Sequence, residues 1–161
     1  MALHPATRFS DTSRLVSSYQ RGRGLLAGDA AHDHSPFGGQ GLKVGLLDAV
    51  NLGWKLAATV QRRAPDGLLS TYTSERHTVA ARALDNTRAR FAVMRPDSQT
   101  TAMRELMAEL LTTQPDVNRS FGEMLSGVTT RYDPGEEDPL VGRLVADAGL
   151  TVDGRDLACT R

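Results

Sequence analysis

The sequence has 161 residues, a length typical of one domain with its own hydrophobic core. Basic and acidic residues number 19 each, so the charge balance gives no electrostatic reason to bind nucleic acid or a membrane surface. Its single cysteine, Cys159, excludes an internal disulfide, and no run approaches the roughly 20 apolar residues of a membrane-spanning helix. We therefore expect a soluble, cytoplasmic protein with no nucleic-acid partner and no membrane partner.

A short strand followed by a carboxylate is the first predicted functional feature. Residues 1–23 contain only short apolar pairs among serines and threonines, which predicts an edge strand or a loose arm. The apolar residues 25–27 suffice for a buried strand but are too few for a helix. Gly28 then removes a side chain, so that another group can approach the backbone closely. Asp29 places a carboxylate at the C-terminal edge of the strand, where open α/β sheets bind ligands.

A glycine-rich loop comes next and opens a long helix. Gly38, Gly39 and Gly41 follow Pro36 and expose bare backbone just before a helix predicted over 42–62. The first amides of a helix have no partners within it and carry partial positive charge. The loop therefore suits an anion or a partly anionic ring edge.

The residue pattern assigns the faces of this helix. We expect its wet face to consist of four polar residues, Asn51, Lys55, Thr59 and Arg62. Two neighbouring apolar stripes cover the rest of the surface: Leu42, Leu46, Ala49, Gly53, Leu56 and Val60 in one, and Leu47, Val50 and Trp54 in the other. So wide an apolar surface predicts packing against a sheet and a second helix.

Further helices follow along the chain. A second long helix is predicted over 68–91, and in it we expect Glu75 and Arg76 to form structural ion pairs. The Arg-Pro-Asp-Ser sequence at 95–98 breaks this helix and caps the next one. Pro115 is predicted to start a shorter helix, because proline suits the first helical turn.

Three sequence blocks carry a resemblance to a known family. They are Gly-Asp-Ala-Ala-His at 28–32, Pro-x-Gly-Gly-Gln-Gly-Leu at 36–42 and Asp-Ala-Val-Asn-Leu-Gly-Trp-Lys-Leu at 48–56. In this order they resemble the second FAD-binding signature of the p-hydroxybenzoate hydroxylase family, in particular its aromatic polyketide and phenol hydroxylases. The resemblance implies an α/β fold, namely the C-terminal portion of a Rossmann-like FAD-binding domain that is predominantly helical in this segment.

The resemblance also implies a domain division and a set of cofactor contacts. We expect a residual strand or arm at 1–23, the C-terminal part of the FAD-binding domain at 24–131, and an acidic linker with a truncated tail at 132–161. The resemblance assigns no catalytic residue and no metal ligand. The implied cofactor-binding residues are Gly28, Asp29, Pro36, Gly38, Gly39, Gln40, Gly41, Leu42 and Lys43.

Each part of this set has an implied role. Asp29 holds ribityl hydroxyls of FAD, the loop at 36–41 lies against the isoalloxazine ring, and the helix N-terminus faces the pyrimidine edge. Lys43 departs from the family, which usually has asparagine at this place. It either brings a cation near the pyrimidine edge or is a surface lysine.

The implied reaction is monooxygenation of an aromatic substrate, with FAD as cofactor, NAD(P)H as reductant and O2 as oxygen donor. The family's Gly-x-Gly-x-x-Gly motif, which cradles the FAD pyrophosphate, does not occur in the sequence. We therefore expect that the chain is not competent alone. A homodimer or a complementing N-terminal polypeptide would then cover the edge of the strand at 25–27 and the apolar helix face.

Three interpretations remain open at this point. The chain is either the hydroxylase segment described above or a non-catalytic helical interaction or assembly subunit derived from a hydroxylase. The third possibility is a metal-dependent hydrolase that uses Asp29, His32 and His34, because a His-x-His pair on an extended segment directs both imidazoles to one side.

Overall fold

A computed structural model describes the chain at residues 12–35, 39–132, 141–144, 150–152 and 155–157. The elements, in chain order, are β1 (Arg14–Leu15), β2 (Gln20–Arg21), β3 (Gly24–Leu25), a 3-10 turn (Gly28–Ala30), β4 (His32–Asp33), α1 (Gln40–Val60), a second 3-10 turn (Leu68–Ser70), α2 (Thr71–Ala92), α3 (Ser98–Thr113), α4 (Pro115–Ser126), β5 (Leu150–Val152) and β6 (Arg155–Leu157). Helices dominate these residues, as predicted. The chain divides into two compact units, Met1–Gln114 and Pro115–Arg161, and the predicted division at residues 23 and 131 stays a prediction.

Two short antiparallel ribbons precede the first long helix. β1 pairs with β4, so that Leu15 lies opposite His32. β2 pairs with β3 across a tight turn, in which Gly22 has a positive φ of 58° that favours glycine. The buried strand predicted at 25–27 is therefore wrong in extent, since β3 ends at Leu25.

The backbone of Leu26 shows why the strand ends there. Its amide donates a hydrogen bond to the carbonyl oxygen of Tyr19 at 2.9 Å. Its carbonyl oxygen accepts one from the Tyr72 hydroxyl of α2 at 2.8 Å. Both backbone polar groups of Leu26 thus have partners within the chain, and the need to cover the edge of the strand stays a prediction.

Helix α1 is confirmed with slightly shifted ends. It begins at Gln40 instead of Leu42, directly after Gly39, whose φ of 64° is left-handed and separates the loop from the helix. It ends at Val60, two residues before Arg62, which itself adopts a positive φ of 55°. The long helix therefore starts within the glycine-rich loop, so that Gln40 and Gly41 belong to its first turn.

The predicted orientation of α1 is wrong in an informative way. Asn51 and Lys55 were expected on the wet face, yet both are buried, and Lys55 is only 1% exposed. Thr59 and Arg62 are exposed as expected. The apolar stripes point outward instead, with large exposed residues at Leu42, Leu46, Leu47, Val50, Trp54, Leu56 and Val60. Polar groups turn inward because α2 provides partners for them, which compensates the cost of removing them from water.

Helix α2 packs beside α1 and completes a small core. The second helix was predicted over 68–91, and the structure gives a 3-10 turn followed by a helix to Ala92. His77 is half-buried, with its ring 6.1 Å from that of Tyr19 in an edge-on arrangement. The buried apolar core of the described residues consists of Tyr19, Ala31, Val44, Tyr72, Ala80 and Ala83.

The remaining helices confirm two predicted helix starts. Asp97 caps α3, because its carboxylate accepts a hydrogen bond from the Thr100 amide at 2.8 Å. Pro115 is the first residue of α4, as predicted. In the unit Pro115–Arg161, β5 and β6 pair as an antiparallel ribbon. Of the helices in the described residues, none has the length and apolar character needed to cross a membrane.

Candidate cofactor-binding site

The Gly28–Ala30 turn presents the predicted carboxylate at the surface. Gly28 has a positive φ of 57°, and its carbonyl oxygen accepts a hydrogen bond from the Ala31 amide at 2.8 Å. This geometry closes a 3-10 turn in which Asp29 is exposed to solvent. The carboxylate is therefore accessible to a ligand that offers hydroxyl or amide donors.

The turn lies directly against helix α1. A methyl group placed on Gly45 would come within 3.2 Å of the Gly28 Cα, and one on Gly28 within 3.8 Å of the Gly45 Cα. Such a close backbone approach is possible because both positions lack side chains. The carboxylate of Asp29 and the start of α1 are consequently held on neighbouring parts of one surface.

The N-terminal turn of α1 forms the second part of the site. Gln40 is 7% exposed, and its side-chain oxygen has no hydrogen-bond partner within the described residues. A methyl group on Gly41 would lie 3.1 Å from the His34 ring, so the imidazole packs tightly against the helix start. The first amides of α1 have no partner within the helix and favour negative charge.

A buried ion cluster, which we name the Asp48 cluster and which comprises His32, Asp48 and Arg76, lies behind the turn. The Asp48 carboxylate lies 2.7 Å from Arg76 Nε and 2.6 Å from His32 Nε2, and all three side chains are inaccessible to solvent. Its oxygen Oδ2 also accepts a hydrogen bond from the Gly28 amide at 3.0 Å. Because a carboxylate only accepts, the hydrogen bond requires that His32 carries a proton on Nε2.

The surroundings of Asp48 favour its ionised form. Burial alone would raise the pKa of this carboxyl group, but hydrogen bonds from His32, Arg76 and the Gly28 amide outweigh burial and lower the pKa. Burial near the same carboxylate raises the pKa of Tyr19, and it raises that of Tyr72 to about 12. The cluster therefore holds a negative charge at neutral pH, and both neighbouring phenols stay protonated.

A second polar cluster, the Lys55 cluster, joins α1 to α2 farther along; it comprises Asn51, Lys55, Thr71 and Glu75. Lys55 Nζ lies 2.7 Å from Glu75 Oε1 and donates to Thr71 Oγ1 at 2.5 Å. Asn51 donates to the other Glu75 oxygen at 2.7 Å. Burial would raise the pKa of Glu75, yet hydrogen bonds from Lys55, Asn51 and Thr71 lower it.

The predicted ion pairs of Glu75 and Arg76 are confirmed, whereas their partners were missed. Arg76 pairs with Asp48 and Glu75 pairs with Lys55, and both partners lie on α1. With Asn51 they are spaced three and four residues apart, which places them on one helical stripe. That spacing was a usable signal, because a polar stripe on a helix can face a charged helix as well as water.

The metal-site hypothesis is not supported. His32 Nε2 is engaged with Asp48, and its ring stacks on that of His34 at a centroid distance of 5.8 Å and an interplanar angle of 18°. Asp29, by contrast, is exposed on the turn. Among the described residues, no group of three histidine, cysteine or acidic side chains is arranged to hold a metal ion.

The structure brings most of the predicted cofactor-binding residues onto two adjoining segments. Gly28 and Asp29 form the turn, and the other described members, Gly39, Gln40, Gly41, Leu42 and Lys43, form the start of α1. Pro36 and Gly38 lie outside the described residues. An accessible carboxylate, a glycine-only backbone approach and the positive end of a helix fit a ligand with hydroxyls beside a ring that accumulates negative charge.

Comparison with known proteins shows which family this chain resembles. Residues 2–87 match the family described as FAD binding domain. The chain is 50% identical over 144 residues to rifampicin monooxygenase from Streptomyces venezuelae. It is also 50% identical over 149 residues to 12-dehydrotetracycline 5-monooxygenase/anhydrotetracycline 6-monooxygenase from Streptomyces rimosus. The solved structure of an anhydrotetracycline hydroxylase from Streptomyces rimosus superimposes with a TM-score of 0.87 at 47% identity.

The coverage of these relatives is unequal. The alignments cover 89% and 92% of this chain but only 30% and 29% of the two relatives. The structural match covers 94% of this chain and 31% of the hydroxylase. The family match over residues 2–87 includes both the Gly28–Ala30 turn and the start of α1, and the architecture agrees with the C-terminal portion of the expected FAD-binding fold. The chain belongs to the FAD-binding domain family, whose cofactor is FAD.

Proposed function

We propose that this chain is the segment of a flavin-dependent aromatic monooxygenase that binds the ribityl and isoalloxazine half of FAD. The observation that carries the proposal is that the close approach of Gly28 and Gly45 brings the turn with the exposed Asp29 carboxylate against the N-terminal part of α1. Similarity to monooxygenases along most of the chain supports it.

The two segments have distinct roles in this proposal. The Asp29 carboxylate accepts hydrogen bonds from ribityl hydroxyls. The amides at the start of α1, from Gln40 onward, face the ring edge where negative charge collects on reduction. When bound, FAD supplies the redox chemistry by which NAD(P)H and O2 lead to insertion of one oxygen atom into the substrate. The protein contributes placement and electrostatics, and we assign no acid or base to this segment.

The substrate in this proposal is an aromatic polyketide or a phenol-like molecule. The relatives carry names that refer to rifampicin, 12-dehydrotetracycline and anhydrotetracycline. We also place the protein in the cytoplasm, in keeping with a sequence that has a single cysteine.

A partner is the second component of the proposal. On α1 the side chains of Leu42, Leu46 and Val60 are 83%, 63% and 73% exposed, which leaves an apolar face without cover among the described residues. Large exposed apolar patches mark association surfaces. We infer that a complementing polypeptide bearing the pyrophosphate-binding motif, or a second copy of the chain, covers this face, and that the isolated chain does not hydroxylate alone. The same face favours the second candidate, a non-catalytic assembly subunit.

Titration of the purified chain with FAD tests the proposal. We expect saturable binding with a changed visible flavin spectrum, and Asp29→Ala should weaken it by about 1.5–3 kcal/mol through loss of hydrogen bonds to a charged group. Asp33→Ala, which removes another exposed carboxylate four residues away, is the control and should leave the affinity unchanged. Saturable binding with equal affinities for the parent and Asp29→Ala would remove Asp29 from the site.

The assay also separates the two candidates. A chain that shows no flavin binding, with or without a partner, would instead be the non-catalytic assembly subunit. Measurement of NAD(P)H oxidation and product formation, together with the mass of the chain in solution, then tests the need for a partner. A monomer that hydroxylates an aromatic substrate unaided would contradict the partner proposal.

A further inference from the structure

The Asp48 cluster connects three separate segments through one carboxylate. Asp48 lies on α1, Arg76 on α2, and the Gly28 amide belongs to the turn that carries Asp29. Arg76 also donates to the Val44 carbonyl oxygen at 3.1 Å, one helical turn before Asp48. The guanidinium therefore holds both the carboxylate and the helix backbone next to it, so that Asp48 has a fixed direction toward the turn.

The contact with Gly28 is the only side-chain hydrogen bond that the structure gives to this amide within the described residues. Gly28 has a left-handed φ and no Cβ, so its own conformational preference does not hold the turn in one geometry. The neighbouring Gly45 leaves room for the backbone but adds no directional contact. The Ala31 amide closes the turn from within, and Asp48 adds a directional contact that ties the turn to α1.

Stability alone is a poor explanation for this arrangement. Buried ion pairs often contribute no more to stability than well-packed apolar residues of similar size, because desolvation opposes their attraction. The Lys55 cluster already joins α1 to α2 by a similar pair, and its hydrogen bonds and ion pair within the described residues run between the two helices and not to the turn. What distinguishes the Asp48 cluster is the additional hydrogen bond to Gly28.

We propose that Asp48 and Arg76 are positioning residues, which fix the backbone of the Gly28–Ala30 turn and thereby the direction of the Asp29 carboxylate. This inference rests on the proposed function, in which Asp29 contacts FAD. Asp48 and Arg76 are themselves buried and act on the cofactor through the turn. His32, the third member of the cluster, donates a hydrogen bond from Nε2 to Asp48 Oδ2, the same oxygen that accepts from the Gly28 amide.

The experiment compares Asp48→Asn and Arg76→Lys with the matched control Glu75→Gln. The control weakens the other buried pair between the same two helices without touching the turn. The first readout is the hydrogen-exchange rate of the Gly28 amide in the FAD-free chain, relative to amides in the middle of α1. We expect Asp48→Asn to accelerate this exchange about tenfold, and Glu75→Gln to leave it unchanged, because only the first removes the charged acceptor of the Gly28 amide.

The second readout is FAD affinity in a double-mutant cycle. We expect Asp48→Asn and Arg76→Lys each to weaken binding about tenfold, the order of loss for one charge-assisted hydrogen bond. In an Asp29→Ala background, Asp48→Asn should have no further effect, since the group that it positions is gone. A purely structural role would give additive effects in this cycle and similar losses in Glu75→Gln.

The outcomes separate this inference from the proposed function. Unchanged Gly28 exchange in Asp48→Asn, or additive effects of Asp29→Ala and Asp48→Asn, would overturn the positioning role while leaving FAD binding intact. If the parent chain binds no FAD, with or without a partner, the proposed function fails, and the positioning role fails with it even where Gly28 exchange shows the contact. Should Asp48→Asn not fold, Arg76→Lys, which keeps the charge, supplies both readouts.

Discussion

Asp48 Oδ1 lies 2.7 Å from Arg76 Nε, and neither side chain has any solvent-accessible surface. Both residues belong to long helices, α1 and α2, so their pairing fixes the register of the two helices against each other. The same aspartate reaches the Gly28 amide on the turn that presents Asp29. The helical frame and the candidate site are therefore linked by one carboxylate.

The first prediction concerns acid stability. The pKa of Asp48 is lowered in the folded protein from its ordinary value of 3.8. Ionised Asp48 therefore stabilises the fold fully at a pH above about 3.8. This contribution is lost as the pH falls through the lower pKa of the folded state. Asp48→Asn should reduce the loss of unfolding free energy that the parent shows as the pH falls below about 3.8. Urea denaturation at a series of pH values measures this slope. An equal slope in parent and variant would show that Asp48 does not titrate with folding.

The second prediction concerns the glycines of α1. Gly45→Ala adds a methyl group 3.2 Å from the Gly28 Cα, whereas Gly53→Ala meets no atom within 4 Å. Alanine favours a helix by about 1 kcal/mol over glycine, so Gly53→Ala should raise the free energy of unfolding by about that amount. Gly45→Ala should not raise it and should weaken FAD binding, because the turn held by Asp48 cannot move away. Denaturation and FAD titration of both variants test this, and stabilisation of Gly45→Ala with full FAD affinity would contradict it.

The third prediction concerns the Lys55 cluster. Lys55→Met leaves the Glu75 carboxylate without its buried cation, and breaking such a pair should lower the free energy of unfolding by about 3 kcal/mol. Adding Glu75→Gln to Lys55→Met should restore part of this loss, because the unpaired charge disappears and the amide still accepts from Asn51. Urea denaturation of the single and double variants gives the answer. A double variant less stable than Lys55→Met would mean that the unpaired Glu75 charge does not cause the loss of stability in Lys55→Met.

The fourth prediction concerns Lys43 in the first turn of α1, whose side chain is exposed. If its ammonium group lies near the bound flavin, Lys43→Asn should lower the flavin reduction potential, because a nearby cation favours the anionic reduced ring. Lys43→Arg keeps the charge and serves as the control. Potentiometric titration of the flavin-loaded protein measures the effect. Equal potentials in all three proteins would assign Lys43 to the surface away from the ring.

Local signals in the sequence predicted the ends of several elements well. Asp97 caps α3 and Pro115 begins α4 because these residues act through their own backbone neighbours. The family motif likewise located the Gly28–Asp29 turn. The ion pairs of Glu75 and Arg76 were predicted in kind.

Features that depend on distant partners were not predictable in the same way. Asn51 and Lys55 were assigned to water because the pattern of one helix does not say what faces it, and their partner Glu75 lies on another helix. The strand at 25–27 was misjudged for a similar reason. Its place in the fold is set by the Tyr72 hydroxyl, 46 residues away in sequence, which no local propensity encodes.

The inward polar stripe of α1 has a calorimetric consequence. Since α1 meets α2 through buried polar groups while most of its leucines face water, unfolding exposes less additional apolar area from this helix than from one whose apolar face points inward. The heat capacity change of unfolding should therefore fall below the about 12–15 cal/mol/K per residue of ordinary domains, which makes the stability curve of the chain broad and shallow in temperature. A partner that covers those leucines would bury the missing apolar area, and its association would carry the large negative heat capacity change that folding of the chain alone does not.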